Sequence, residues 1–131
     1  MARADEMRKL AKRSERNRHR KDENEAENRA RQDEAEVART REWFRSKGRA
    51  EYLAEIRKAA KSGEREIRLD VSSSGENGMS AGGRETLKLV EAMLKKEGFK
   101  FAPFSQPYNR LSQGEGLPNE VGTEYGFDVS W

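Results

Sequence analysis

Large apolar residues are sparse along the first third of the chain and regularly spaced along the rest. Residues 1–48 hold six of them, Met1, Met7, Leu10, Val37, Trp43 and Phe44, against 23 in residues 49–131. The pattern divides the chain into a charged segment, 1–48, that lacks the means to bury a core alone, and a compact domain, 49–131, that has them. The first Gly is Gly48 and the first Pro is Pro103. Residues 1–47 are mostly Arg, Glu, Ala, Lys and Gln, so they predict one long helix that stops at Gly48.

That helix is polar all round, and such a helix is paired, bound or not stably formed. Favourable i,i+4 ion pairs are available at Asp5–Lys9, Glu25–Arg29 and Glu27–Arg31. Repulsive ones such as Arg8–Lys12 and Arg16–Arg20 offset them, at about 0.2–0.5 kcal/mol each. Met7, Ser14, Lys21, Asn28 and Ala35 recur every seven residues, as do Leu10, Asn17, Asn24, Arg31 and Ala38. Together they form the 3–4 stripe of a coiled-coil seam, with Met7, Leu10, Asn17, Asn24 and Asn28 as its seam candidates. Buried Asn lowers stability and fixes register. A solvated helix or tail is the plainer alternative. A second stripe, Ala30, Val37 and Phe44, runs toward the compact domain, and Val37, Trp43 and Phe44 are the expected junction.

Beyond Gly48 the periods change. Tyr52, Leu53, Ile56, Ala59 and Ala60 share a helical face that Gly63 ends. Ile67, Leu69 and Val71 alternate with Glu66, Arg68 and Asp70, a half-buried strand. Residues 72–83 read as a Gly/Ser loop, and 84–97 as a helix with Leu87, Val90 and Leu94 on one face and Gly98 as its stop. Residues 99–104 read as a strand with Pro103 at an edge or end, and 105–120 as loop. Thr123, Tyr125, Phe127, Val129 and Trp131 share a face of the last strand. The fold class is α+β: a long N-terminal polar helix, then an α-β-α-β-β module with a three-stranded sheet. The expected core is Ile67, Leu69, Leu87, Val90, Leu94, Phe99, Phe101, Phe127 and Trp131.

Charge sharpens the reading of the helix. The net +3 is an N-terminal property: residues 1–21 carry +6 and residues 22–36 carry −5. The cations Arg8, Lys9, Lys12, Arg13, Arg16, Arg18, Arg20 and Lys21 are the possible nucleic-acid contacts, since an arginine-rich helix grips phosphates. A basic block followed by seven carboxylates suits complementary helix pairing better.

Candidate chemistry is thin. Zero Cys removes disulfides, thiol nucleophiles and thiolate metal sites, and a single His removes multi-His zinc patterns. His19 stands among cations with no Ser–Asp arrangement to serve. Glu66 with Asp70, or Glu124 with Asp128, offers carboxylate pairs, but both pairs fall on the polar parity of their strands. Loop 72–83 precedes a helix without GxxxxGK[ST] or GxGxxG, so it reads as a connection, with an anion site as the alternative. No catalytic, cofactor or metal residues are assigned. With no apolar run longer than three, neither a transmembrane helix nor a signal-peptide core is expected.

The stretches IRKAAKSGEREIRLDV, LVEAMLKKEGFKF and YGFDVSW, within residues 54–131, resemble small proteins of tailed bacteriophages that join a helical N-terminal part to a compact module ending in an aromatic strand. The resemblance implies a non-enzymatic structural protein, located in a virion or the host cytoplasm. Its partner would be its own copies or another protein of a larger assembly. A nucleic-acid-binding regulator using residues 8–21 is the alternative, and a ligand-sequestering protein using loop 72–83 a third.

Overall fold

The computed structural model describes residues 2–75, 77–110 and 120–131. The fold is α+β. Helix α1 spans Ala2–Trp43, a π-helical turn occupies Phe44–Gly48, and α2 spans Arg49–Lys61. Strand β1 (Glu66–Ser74), helix α3 (Ala81–Lys96), strand β2 (Lys100–Arg110) and strand β3 (Glu120–Ser130) follow. The chain divides into two compact units between Ala35 and Glu36.

The first unit is helical throughout its described residues and exposed on every side. One ion pair within 4.0 Å, Arg8–Asp5 at 3.7 Å, is formed among its described residues. The three i,i+4 pairs expected from spacing are not closed, as solvated long side chains gain little by holding one geometry.

In the second unit, helix does not stop at Gly48. Gly48 has φ −59° and ψ −44°, is buried, and passes directly into α2. The reason is packing. A Cβ at Gly48 would lie 2.7 Å from the Trp43 ring, so glycine serves here to let an indole lie on the backbone. The π-turn, with Arg49 N–H donating to the Phe44 carbonyl, adds one residue to the turn and brings Trp43 over Gly48. Trp43 also meets Tyr52 edge-on, with ring centroids 6.4 Å apart. Helix α3 starts at Ser80, whose hydroxyl accepts from Gly83 N–H at 3.1 Å. It ends at Gly98, at φ +81°, with Phe99 N–H donating to the Leu94 carbonyl at 3.1 Å.

The sheet is antiparallel throughout, in the order β1-β3-β2. Ile67 pairs with Val129, Leu69 with Phe127 and Phe101 with Val129, which sets one inner face against the helices. Leu69, Val90, Leu94 and Val129 are fully buried, joined by Phe44, Ile56, Met93 and Phe127. Leu87, Phe99 and Phe101 are half-buried against that cluster. Trp131 is not core. It is 41% exposed: pairing ends at Glu66–Ser130, and the Trp131 backbone N–H donates to the Arg65 carbonyl.

Two segments read as loop are strand. Residues 72–74 continue β1 past a register shift between Asp70 and Ser72, which turns Ser72 and Ser74 toward Tyr125 and Thr123 on the inner face. Residues 105–110 continue β2, whose Pro103 and Pro107 are tolerated because β2 is an edge strand. Neither proline has an N–H to donate to β3, so both turn their nitrogen to the open edge. The remainder of that expected loop, residues 111–119, lies outside the described residues, as does Glu76 of the expected loop 72–83.

Candidate interaction surfaces

The seam residues Met7, Leu10, Asn17, Asn24 and Asn28 all lie on α1 in the first unit and are exposed. Met7 is 63% and Leu10 53% exposed, high values for apolar side chains. The cations Arg8, Lys9, Lys12, Arg13, Arg16, Arg18, Arg20 and Lys21 are exposed along the same helix, and only Arg8 forms an ion pair among the described residues. His19 is exposed among them.

The junction candidates Val37, Trp43 and Phe44 all lie in the second unit. Phe44 enters the core, tilted against Tyr52 with centroids 6.4 Å apart, while Val37 is half-buried. Burial pushes the Tyr52 hydroxyl above its ordinary pKa, and the carboxylates Glu55 and Glu51 push it further in the same direction.

Polar contacts missed by the apolar stripe fix residues 36–49 along α3. A Cβ at Gly82 would lie 2.8 Å from Glu36 Oε1 and 2.9 Å from Thr40 Oγ1, so the first turn of α3 is bare where α1 crosses it. Arg41 Nε donates to Glu85 Oε1 at 2.8 Å, and Glu85 is buried. Further on, Arg49 pairs with Glu97 just beyond the end of α3. The two segments are therefore joined by an ion pair near each end. On its other side, a Cβ at Gly83 would lie 2.5 Å from Ser72 Oγ, which seats α3 on β1. Gly82 and Gly83 are thus packing residues, and the Gly83 N–H of the suggested anion loop is taken by Ser80.

The outer sheet face carries one built cluster. Arg68 makes a two-pronged contact with Asp128, Nε to Oδ1 at 2.8 Å and Nη2 to Oδ2 at 3.3 Å, and reaches Gln106 Oε1 at 3.4 Å. Its guanidinium lies 4.3 Å from the centroid of the Phe104 ring. The Asp128 hydrogen bond raises the Arg68 pKa above its ordinary value, so the guanidinium stays charged. Phe104 and Tyr108 extend over β3 because Gly126 and Gly122 lie beneath them. A Cβ there would come 2.8 Å from Phe104 Cε1 and 2.6 Å from Tyr108 Cζ, and would overlap the Leu69 and Ser74 carbonyls. Asp128 thus serves Arg68, and the Glu124–Asp128 pairing suggested by spacing does not form a paired-carboxylate site. An open groove of about 830 Å³ at the start of β1, lined by Glu64, Arg65, Glu66, Ile67, Arg68 and Asp128, mixes both charge signs. Among the described residues no three His, Asp or Glu side chains are grouped to hold a metal ion, and no helix is long and apolar enough to cross a membrane.

Compared with family models, curated proteins and solved structures, the chain matches none.

Proposed function

We propose that the chain is a structural assembly protein, of the kind found in tailed-bacteriophage particles, which associates through residues 2–35 of α1. One observation carries the reading: this helix is exposed on all sides and split into a basic and an acidic block, while the core lies wholly in residues 36–131. A polar helix of this length is stabilised by packing rather than by propensity. Surface ion pairs within one helix contribute too little to replace a partner. The second unit, with its covered sheet and bracketed helices, acts as the body that the helix tethers.

Sedimentation tests this directly. The full chain is expected above monomer mass in a concentration-dependent way, and a chain beginning at Glu36 at monomer mass. A full chain that stays monomeric at every concentration overturns the reading.

A further inference from the structure

We infer that the partner of this helix is a second copy of the same chain, laid antiparallel, with the two-fold axis passing between Asp22 and Glu23. The inference rests on the association reading above and adds its partner, direction and register.

Two seams packed antiparallel place one half of the 3–4 stripe against the other half of the partner's stripe. Centred between Asp22 and Glu23, Leu10 faces Ala35, Ser14 faces Arg31, Asn17 faces Asn28 and Lys21 faces Asn24. The large Leu10 meets a small Ala. The Asn17 and Asn28 amides face one another, and each amide carries both a donor and an acceptor. Each cation of the seam faces a polar neutral residue.

The flanking positions decide the direction. In the same register Arg13 lies beside Glu34, Arg20 beside Glu27 and Arg18 beside Glu25. All three are opposite-charge pairs, and symmetry repeats each of them. Flanking charges of this kind set partner choice and orientation in helix pairs. A parallel, in-register pair would keep opposite-charge flanks at Arg20–Glu25 and Glu34–Arg39 but fails elsewhere. It would stack Lys21 on Lys21 and Arg31 on Arg31 in the seam, and set Arg13 beside Arg18 at its flank. The sharp sign change after Lys21 is thus a direction code: only reversal brings each copy's +6 block onto the other's −5 block at the same time. All of these side chains are exposed in the single chain and open to a partner.

Because the chain has no Cys, one introduced thiol labels it uniquely. A spin label on Lys12→Cys, a position off the seam, reads the direction in the full-length protein. Antiparallel pairing separates the two labels by about 30 Å along the axis in addition to the width of the pair, from the rise of about 1.5 Å per residue, whereas a parallel pair separates them by that width alone, about 20 Å between outer faces. Arg20→Glu is expected to weaken self-association about tenfold, and Arg20→Glu combined with Glu27→Arg to restore it. In a parallel pair Arg20 would face Glu25 instead, and the second change would restore nothing. A self-associated protein lacking the long label distance, or one that the double reversal fails to rescue, overturns the antiparallel register and leaves the association reading standing. A full chain that is monomeric at every concentration removes both.

Discussion

Arg41 reaches from α1 to the buried carboxylate of Glu85 in α3, Nε to Oε1 at 2.8 Å, and so couples two helices that the apolar pattern alone would leave loosely joined. The two ends of this pair differ in exposure: the Arg41 side chain is 65% exposed and that of Glu85 10%. Removing the arginine strands a carboxylate away from water, while changing the acid to an amide keeps an acceptor. Arg41→Ala is therefore expected to cost about 1–2 kcal/mol and Glu85→Gln clearly less, read as shifts in the urea midpoint. Equal costs would mean that Glu85 is satisfied by solvent.

The packing glycines rank by what surrounds them. At Gly126 a methyl group meets the Leu69 carbonyl and the Phe104 ring, and backbone cannot swing aside. Gly126→Ala should cost about 1–3 kcal/mol or more. At Gly82 the nearest atom is the end of the Glu36 side chain, which can move, and alanine improves helix propensity. Gly82→Ala should be much milder, and thermal melts of the two variants check the order.

Tyr52 gives the stability an alkaline edge. Its pKa is raised in the folded state, so the folded protein holds the phenolic proton more tightly than the unfolded chain does. The associated stability is fully present below the unfolded value of about 10 and is lost as pH rises through the folded value. Denaturation midpoints measured from pH 8 to 12 should fall more steeply for the native sequence than for Tyr52→Phe. Parallel curves would show that the hydroxyl is not the group responsible.

Residues 36–131 hold every member of the buried cluster, Phe44 included. A chain starting at Glu36 should melt cooperatively with mixed α/β circular dichroism. A start at Arg49 removes Phe44 and the Arg41–Glu85 pair, and should be less stable. Broad, aggregating melts of the longer piece would instead make residues 2–35 part of one folding unit.

The exposed cations of residues 8–21 also bear on nucleic acid. Helix pairing as the main role predicts weak DNA or RNA binding, about 10⁻⁴–10⁻⁶ M near physiological salt and insensitive to sequence. Titration by fluorescence anisotropy at several salt concentrations checks this. A sequence-specific nanomolar complex would favour a regulator instead.

Where local rules governed, the sequence was readable. The absence of breakers gave α1, and alternation gave the inner faces of β1 and β3 at Ile67, Leu69, Phe127 and Val129. Where a residue's role depends on a distant contact, it was not. Gly48 looks like a helix stop, but its lack of a side chain is used by Trp43. Pro107 looks like a loop residue, but an edge strand with its nitrogen outward accommodates it. Trp131 fits the parity of β3 yet lies past the last paired residue. The charge blocks of the candidate interface are plain in the sequence. The bracket of Arg41–Glu85 and Arg49–Glu97 is not, because nothing in linear spacing shows that α3 lies beside residues 36–49. Arg68 over Phe104 likewise depends on a three-strand order that no local pattern encodes.

The two prolines of β2 have a consequence for crowding. An assembly built through helices holds its bodies at high local concentration, where an open strand edge invites fusion of one sheet with the next. Pro103 and Pro107 share one parity on that edge, so at alternate outward positions no donor is offered to an incoming strand. A ladder laid on β2 would break each time it reached a proline. On the proposed assembly, this rim of the sheet would stay inert toward neighbouring copies, and β2 would offer no competing route of association beside the helix.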